Sequence, residues 1–329
     1  MIFRPAVESD LDRLLPLLDA DPTGGVTAEA YRAGLADGQY RFDRMWLAED
    51  APGGAPLALA VWWGSPGEAR PRALDGLFAS GAEGAAGFGE GSAGSGEART
   101  VLAAGLLGAA HTAYAEAGAD VAPEYHLFLP GDWRDRPELV AAVAWRREAA
   151  RRAGLPASLE RLRYEWTPQN GLPEPSGRLR FRAEPDDEVF VDLFRRVLAG
   201  TLDASSRKGA ARNGAEAQAR EDLAFYRDTM PGKRSWWRVA RTPDGVTVGF
   251  GIPSRNHATP VVGYLGVLPE HRGRGYADEI LAEITRVLAA EAAPERIRAD
   301  TDLTNTPMAA AFARAGYRNS ARRLVLSAR

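Results

Sequence analysis

Arg272-Gly273-Arg274-Gly275-Tyr276-Ala277 is the stretch on which the reading of this chain turns. It follows a β-rich run, Val261, Val262, Tyr264, Leu265 and Val267, that Pro269 closes. It opens a segment with Asp278 and Glu279 in the first turn and Ile280, Leu281, Ile284, Val287 and Leu288 at helical spacing. Strand, glycine loop and amphipathic helix arrive in order. The two glycines let backbone amides approach an anion through dihedrals that other residues resist. The helix start adds unpaired N–H groups and a partial positive charge. The stretch therefore predicts a phosphate-bearing guest.

Downstream, Arg296 to Asp302 reads as the next strand, and Asn305-Thr306-Pro307 opens a helix that closes at Gly316-Tyr317. Pro307 suits a first helical turn and Gly316 a C-terminal cap. The spacing Arg-x-x-Gly-x-Ala, followed at this distance by an Asn-led helix ending in Gly and an aromatic residue, resembles the GCN5-related N-acetyltransferase (GNAT) family. That resemblance implies acetyl-CoA, or another acyl-CoA, as cofactor. Its diphosphate would lie on Arg272, Gly273, Arg274, Gly275, Tyr276 and Ala277. Two neighbouring parallel strands would splay apart, and the pantetheine arm would enter between them, against the backbone of Leu265 and Val267. Asn305 would touch the same arm. Where many relatives carry a Tyr that protonates the leaving thiolate, this chain has Phe312, which has no proton to give and also reads as core. Tyr317, Tyr264 and water are the substitutes.

The implied reaction is direct attack of a primary amine on the thioester, so the amine needs a base. Asp300 and Asp302 share one face of the second strand and are the candidates; the competing reading is a cap or ion pair at a strand end. For the acceptor, Asp203 before the basic run Ser205 to Arg212, Trp237 beside Trp236, and His257 in the loop Ser254 to Pro260 are the candidate contacts. The basic run itself reads as an exposed loop.

With 329 residues the chain suits two domains. The break is expected at 168–177, where Pro168, Gly171, Pro173, Pro175 and Gly177 cluster. A catalytic domain would occupy 178–329, and 1–167 reads as a degenerate, non-catalytic copy of it. Ile2 to Ala6 with Leu14, Leu15, Leu17 and Leu18 parallels Leu179 to Ala183 with Val189, Val191, Leu193 and Phe194. The fold class expected is α/β (α+β): two tandem GNAT-like domains, each a mixed, mostly antiparallel sheet flanked by helices, with splayed parallel central strands. In the first copy the counterpart of the phosphate loop, around Gly87-Phe88-Gly89-Glu90-Gly91, lacks a basic lead residue and reads as a low-complexity loop.

Cysteine is absent, which removes disulfides, thiolate metal ligands and a cysteine nucleophile. The four histidines have no zinc-pair spacing, so no metal is expected. A net charge of −3 gives no global case for nucleic acid, and no apolar run or leader suggests a membrane, so the expected location is cytoplasmic. The leading functional reading is an acyl-CoA-dependent N-acetyltransferase acting on a small-molecule amine as a monomer or homodimer. A GNAT-fold transferase using aminoacyl-tRNA, and a non-catalytic CoA-binding sensor or scaffold, are the alternatives.

Overall fold

The computed structural model describes residues 1–80, 93–230, 232–256 and 259–328. In chain order the first elements are β1 (Ile2–Pro5), α1 (Leu11–Asp19), α2 (Ala28–Ala36), β2 (Met45–Glu49), β3 (Ala58–Trp63), β4 (Ala73–Ala79), α3 (Ala93–Glu116), β5 (Glu124–Leu129), α4 (Pro137–Arg152) and β6 (Ala157–Trp166). The second run is β7 (Arg180–Arg182), α5 (Asp187–Val197), α6 (Ala204–Asn213), α7 (Ala215–Ala224), β8 (Arg238–Arg241), β9 (Thr247–Arg255), β10 (Pro260–Val267), α8 (Tyr276–Ala292), β11 (Ile297–Asp302), α9 (Thr306–Arg314) and β12 (Arg318–Ser327). The second run nearly repeats the first.

Two compact units result, one of Met1–Glu160 with Arg322–Arg329 and one of Arg161–Ala321. This division departs from sequence order at both ends. Arg161 to Trp166 of β6 pairs antiparallel with β11, from Asp302↔Arg161 to Ile297↔Trp166. Arg322 to Leu326 of β12 pairs antiparallel with β5. The strand that reads as the close of the first half thus belongs to the second unit, and the last strand of the chain belongs to the first. Packing places the break after Glu160, whereas the loop composition of 168–177 suggested a later one.

Each unit is a mixed, mostly antiparallel sheet between helical layers, with strand order β1-β2-β3-β4-β5-β12 in the first and β6-β11-β10-β9-β8-β7 in the second. Period-two alternation builds the two faces. In the first unit Met45, Leu47, Leu59 and Val61 meet Leu14, Leu15 and Tyr31 of α1 and α2. Trp46, Ala48, Ala60 and Trp62 meet α3 and α4 through Leu106, Ala110 and Val143. In the second unit Val239, Phe250 and Ile252 pack on Phe190, Phe194 and Leu223 of α5 and α7. Ala240 and Val248 pack with Ile280, Ile284 and Phe312 of α8 and α9.

One local expectation changes, and the tryptophan pair is placed. The basic run Ser205 to Arg212 is helical, within α6, because Asp203 caps it by accepting from the Ser206 N–H at 2.7 Å. Trp236 ends a 3₁₀ turn ahead of β8, and Trp236 and Trp237 are both buried, one in each of the unit's two clusters.

Candidate acyl-CoA site

The second unit's parallel strands, β10 and β11, keep register only at Val261↔Arg298 and then part. Along β10 the Leu268 N–H donates to the Val248 carbonyl of β9. Alternation therefore turns the backbone polar groups of Val267 and Leu265 the other way, into the gap. A bulge between Val262 and Tyr264 marks the point where the strand departs.

At the end of β10 the loop turns on Gly273 (φ 76°) and Gly275 (φ 75°), both left-handed. Gly275 is the N-cap of α8. None of the described hydrogen bonds runs from the backbone N–H of Gly273, Arg274, Gly275, Tyr276 or Ala277. A run of donors without acceptors at the start of a seventeen-residue helix has the form of an anion cradle. The lead arginine is not part of that donor set. Arg272 Nε donates to the Val267 carbonyl at 3.1 Å, Nη2 to Val197 at 2.8 Å, and Nη1 to Ala199 at 2.7 Å and Gly200 at 3.2 Å. It fastens the loop to the carbonyl end of α5, where a cation is favoured.

The candidate bases are engaged. Asp302 is buried, accepts from the Ala204 N–H at 2.6 Å and lies 2.9 Å from Arg161 Nε. Arg161 also donates to Asp203 Oδ2 at 2.9 Å. Burial opposes the charge of Arg161, but the carboxylates of Asp203, Asp302 and Asp300 outweigh it and hold its pKa above the ordinary value. Asp300 receives Arg163 Nε at 3.1 Å. The cap and ion-pair reading describes both aspartates, and Asp203 joins them as the cap of α6.

Asn305 caps α9 through its side-chain oxygen, which accepts from the Met308 N–H at 3.4 Å, and its Nδ2 has no described partner. Phe312 is core, stacked on Tyr164 with ring centroids 4.9 Å apart. Tyr317 is core as well: its hydroxyl shares a 2.8 Å hydrogen bond with Thr285, and burial raises its pKa against that bond. Trp237 is buried against Phe190 and beneath Arg234. His257 lies outside the described residues, as does the loop around Gly87.

Two groups escaped the sequence reading. Gln218, Asp222 and Tyr226 recur every four residues along α7 and the π-helical turn after it, and this stripe points inward. Gln218 Nε2 donates to Asp222 Oδ1 at 2.8 Å, while Oδ2 is enclosed without a described partner. The Tyr226 hydroxyl donates to the carbonyl of Gly263 at the β10 bulge, at 2.7 Å. Burial pushes the Asp222 carboxyl up to about 6; the Gln218 bond opposes this and the Asp203 charge adds to it. Burial and then Asp222 raise both Tyr226 and Tyr264. The second group is Arg178, whose Nη2 donates to the Arg274 carbonyl at 2.7 Å.

The first unit has the corresponding gap. β4 and β5 keep register at Ala73↔Glu124 and Leu74↔Tyr125 only. Beyond that point the chain itself enters: the Val26 N–H donates to the Asp75 carbonyl of β4 at 3.1 Å, and the Phe128 N–H of β5 donates to the Thr23 carbonyl at 3.2 Å. Gly24 and Gly25 make this fit possible, since a Cβ there would stand 2.4 Å from the Phe128 oxygen or 2.7 Å from the Asp75 oxygen. Arg146 completes the closure, with Nη2 donating to Asp21 Oδ1 at 2.8 Å and to the Leu77 carbonyl of β4 at 3.0 Å.

Residues 178–318 match the family model of the acetyltransferase (GNAT) domain. No curated protein matches the chain. Among solved structures it is similar to a GCN5-related N-acetyltransferase from Sphaerobacter thermophilus, at 15% identity over 99% of this chain and 94% of that one, with a TM-score of 0.56. It is similar to a tandem GNAT protein from the clavulanic acid biosynthesis pathway, at 16% identity over 99% and 98%, with a TM-score of 0.51. A third likeness is to a fungal multi-domain β-N-acetylglucosaminidase with a GCN5-related glucosamine N-acetyltransferase region, at 15% identity over 99% of this chain and 38% of that one, with a TM-score of 0.52. At these identities the likeness is one of fold, and it extends across both units.

Proposed function

The chain carries a GNAT acetyltransferase domain in residues 178–318, and from that premise we propose that it moves an acetyl group, or another acyl group, from its CoA ester to a primary amine of a small molecule, in a ternary complex in the cytoplasm. The observation that carries this reading is the β10–β11 gap, which the chain leaves open and which leads to the unbonded amides of residues 273–277. These residues fit a diphosphate. The amides are donors without acceptors, Gly273 has open space around it, and Gly275 brings no side chain to the helix start.

When bound, the acyl-CoA supplies an activated thioester carbonyl, whose C–S bond breaks as the C–N bond to the amine forms. The loop amides and the start of α8 hold the phosphates. Leu265 and Val267, with backbone groups turned from β9, hold the pantetheine arm, and an N–H on this edge donates to the thioester oxygen. Asn305 Nδ2 adds a donor beside β11. The amine's proton goes to Asp222, whose carboxyl, pushed up to about 6, is ionised at neutral pH yet close enough to that pH to accept it. Asp203 adds negative charge on the same face and favours a cationic acceptor. Solvent supplies the proton for the leaving thiolate, because Phe312 has none and that of Tyr317 is held by Thr285 in the core.

Titration calorimetry with acetyl-CoA, followed by CoA release with a panel of small primary amines, tests the reading. One cofactor per chain and turnover with at least one amine are expected. Absence of binding overturns it, and so does tight binding with no release for any amine, which is the behaviour of a CoA sensor.

A further inference from the structure

The loop's own lead residue brings no free guanidinium to the second unit's cradle. The Arg272 guanidinium is engaged by carbonyls of residues 197, 199, 200 and 267. Arg274 makes one long contact, to the Glu270 carbonyl at 3.3 Å, and is otherwise exposed. Arg178, 96 residues earlier in the chain, is held against the cradle from three sides. Its Nη2 donates to the Arg274 carbonyl at 2.7 Å, its guanidinium lies 5.2 Å from the centre of the Tyr276 ring, and its Nε is 3.3 Å from Glu279 Oε1. A Cβ built on Gly275 would lie 3.7 Å from Nη2 and 3.9 Å from Nη1. The guanidinium therefore faces the bare backbone between the free amides, and Nη1 has no described partner. Of the acids around it, Asp278 pairs with Arg314 at 2.8 Å and Glu270 with Arg196 at 2.5 Å, while Glu279 pairs with Arg178 through Oε1 and accepts from the Ser176 hydroxyl through Oε2.

We propose that Arg178 is a phosphate-binding residue of this site, adding a fixed cationic donor to the amides of residues 273–277 on the diphosphate of an acyl-CoA. The proposal rests on the acyl-CoA reading above. Strand β7 begins two residues later and Leu179 between them is buried, so the backbone of Arg178 is anchored. The stacked, hydrogen-bonded guanidinium is pre-set before a ligand arrives, which reduces the entropy lost on binding.

The experiment is calorimetry on the full chain, wild type and Arg178→Ala, with CoA, dephospho-CoA and S-acetylpantetheine, and with Arg178→Lys as a charge-retaining control. A charge-assisted hydrogen bond to phosphate is worth about tenfold or more in affinity. Arg178→Ala is therefore expected to weaken CoA and dephospho-CoA alike by about 10- to 30-fold and to leave S-acetylpantetheine unchanged. Arg178→Lys should recover part of the loss. Affinity for CoA within twofold of wild type overturns the proposal. Loss confined to CoA moves the contact to the 3′-phosphate and overturns the diphosphate assignment. Equal loss for S-acetylpantetheine makes Arg178 a shape-holding residue and overturns it too. A wild-type chain that binds no CoA at all is the separate failure of the functional reading.

Discussion

In the first unit the gap between β4 and β5 is closed by Thr23, which accepts from the Phe128 N–H, and by Val26, which donates to the Asp75 carbonyl, whereas in the second no described backbone-to-backbone hydrogen bond runs from residues 198–204 to β10 or β11, and the Ala204 N–H reaches only the Asp302 side chain. The sheets are built alike, so the contrast lies in how each gap satisfies its backbone. Exposed strand groups inside a fold need partners. The first unit finds them within its own chain, with an Asp21–Arg146 ion pair behind the inserted segment. Under the proposed function the second would offer them to the acyl-CoA. In a repeated fold, filling the slot would be enough to exclude a cofactor from one unit.

The largest expected effect strikes the filled gap. Arg146 and Asp21 have side chains only 4% and 5% exposed. Arg146→Ala leaves the carboxylate enclosed without its partner and should lower stability by about 3–5 kcal/mol in urea unfolding. The chain should still bind one acyl-CoA, because the backbone bonds of Thr23 and Val26 remain; a second binding event would break the comparison. At the open gap, Gly275→Val sets a β-branched residue at φ 75° against Arg178. Acyl-CoA affinity should fall by about a hundredfold or more, while the strain of a left-handed valine lowers the melting temperature by only a few degrees. Unchanged affinity in calorimetry would remove the cradle from the site.

The acids near the two gaps sharpen the contrast. Asp21 is ion-paired with Arg146, while none of the described ion pairs includes Asp222, whose carboxyl is pushed up from 3.8 to about 6. The folded chain therefore holds this proton to higher pH than the unfolded chain does. Protonation favours folding fully below the unfolded value of 3.8, and that advantage is lost as pH rises through about 6. Asp222→Asn does not titrate. It should match wild type near pH 4 and become more stable by about 2–3 kcal/mol above pH 6. Its transferase activity should fall across the same range, without the rise near pH 6 expected of wild type. A variant with unchanged stability at pH 7.5 would place Asp222 in contact with solvent.

The loop at residues 272–277 was legible because everything that defines it is local: glycine spacing, a β-branched run before it and a helical stripe after it. The strand exchange was not. Arg161 to Trp166 alternates in the same way whichever sheet receives it, and only the register with β11 decides. Asp21 to Val26 reads as an ordinary turn, and its role comes from Asp75 and Phe128, distant in sequence. Asp300 and Asp302 were correctly set on one face of a strand, yet the arginines that engage them, Arg163 and Arg161, arrive from β6. The stripe of Gln218, Asp222 and Tyr226 was visible as polar spacing, which by itself suggests a solvated face.

The smallest expected effect concerns the position where the second unit lacks a proton donor. Phe312 is 2% exposed, stacked on Tyr164 and edge-on to Tyr317 with centroids 5.3 Å apart. Phe312→Tyr adds a hydroxyl to that packing with no partner in view, at a cost of about 1 kcal/mol in unfolding measurements. If the ring belongs wholly to the α8–α9 face of the sheet, acyl-CoA affinity and CoA release should both stay at wild-type level, because the added oxygen stays in the core. A rise in turnover of tenfold or more would mean that the new hydroxyl reaches the leaving sulfur. The open gap would then extend through the sheet to Phe312, and the proton now assigned to solvent would have a place in the fold.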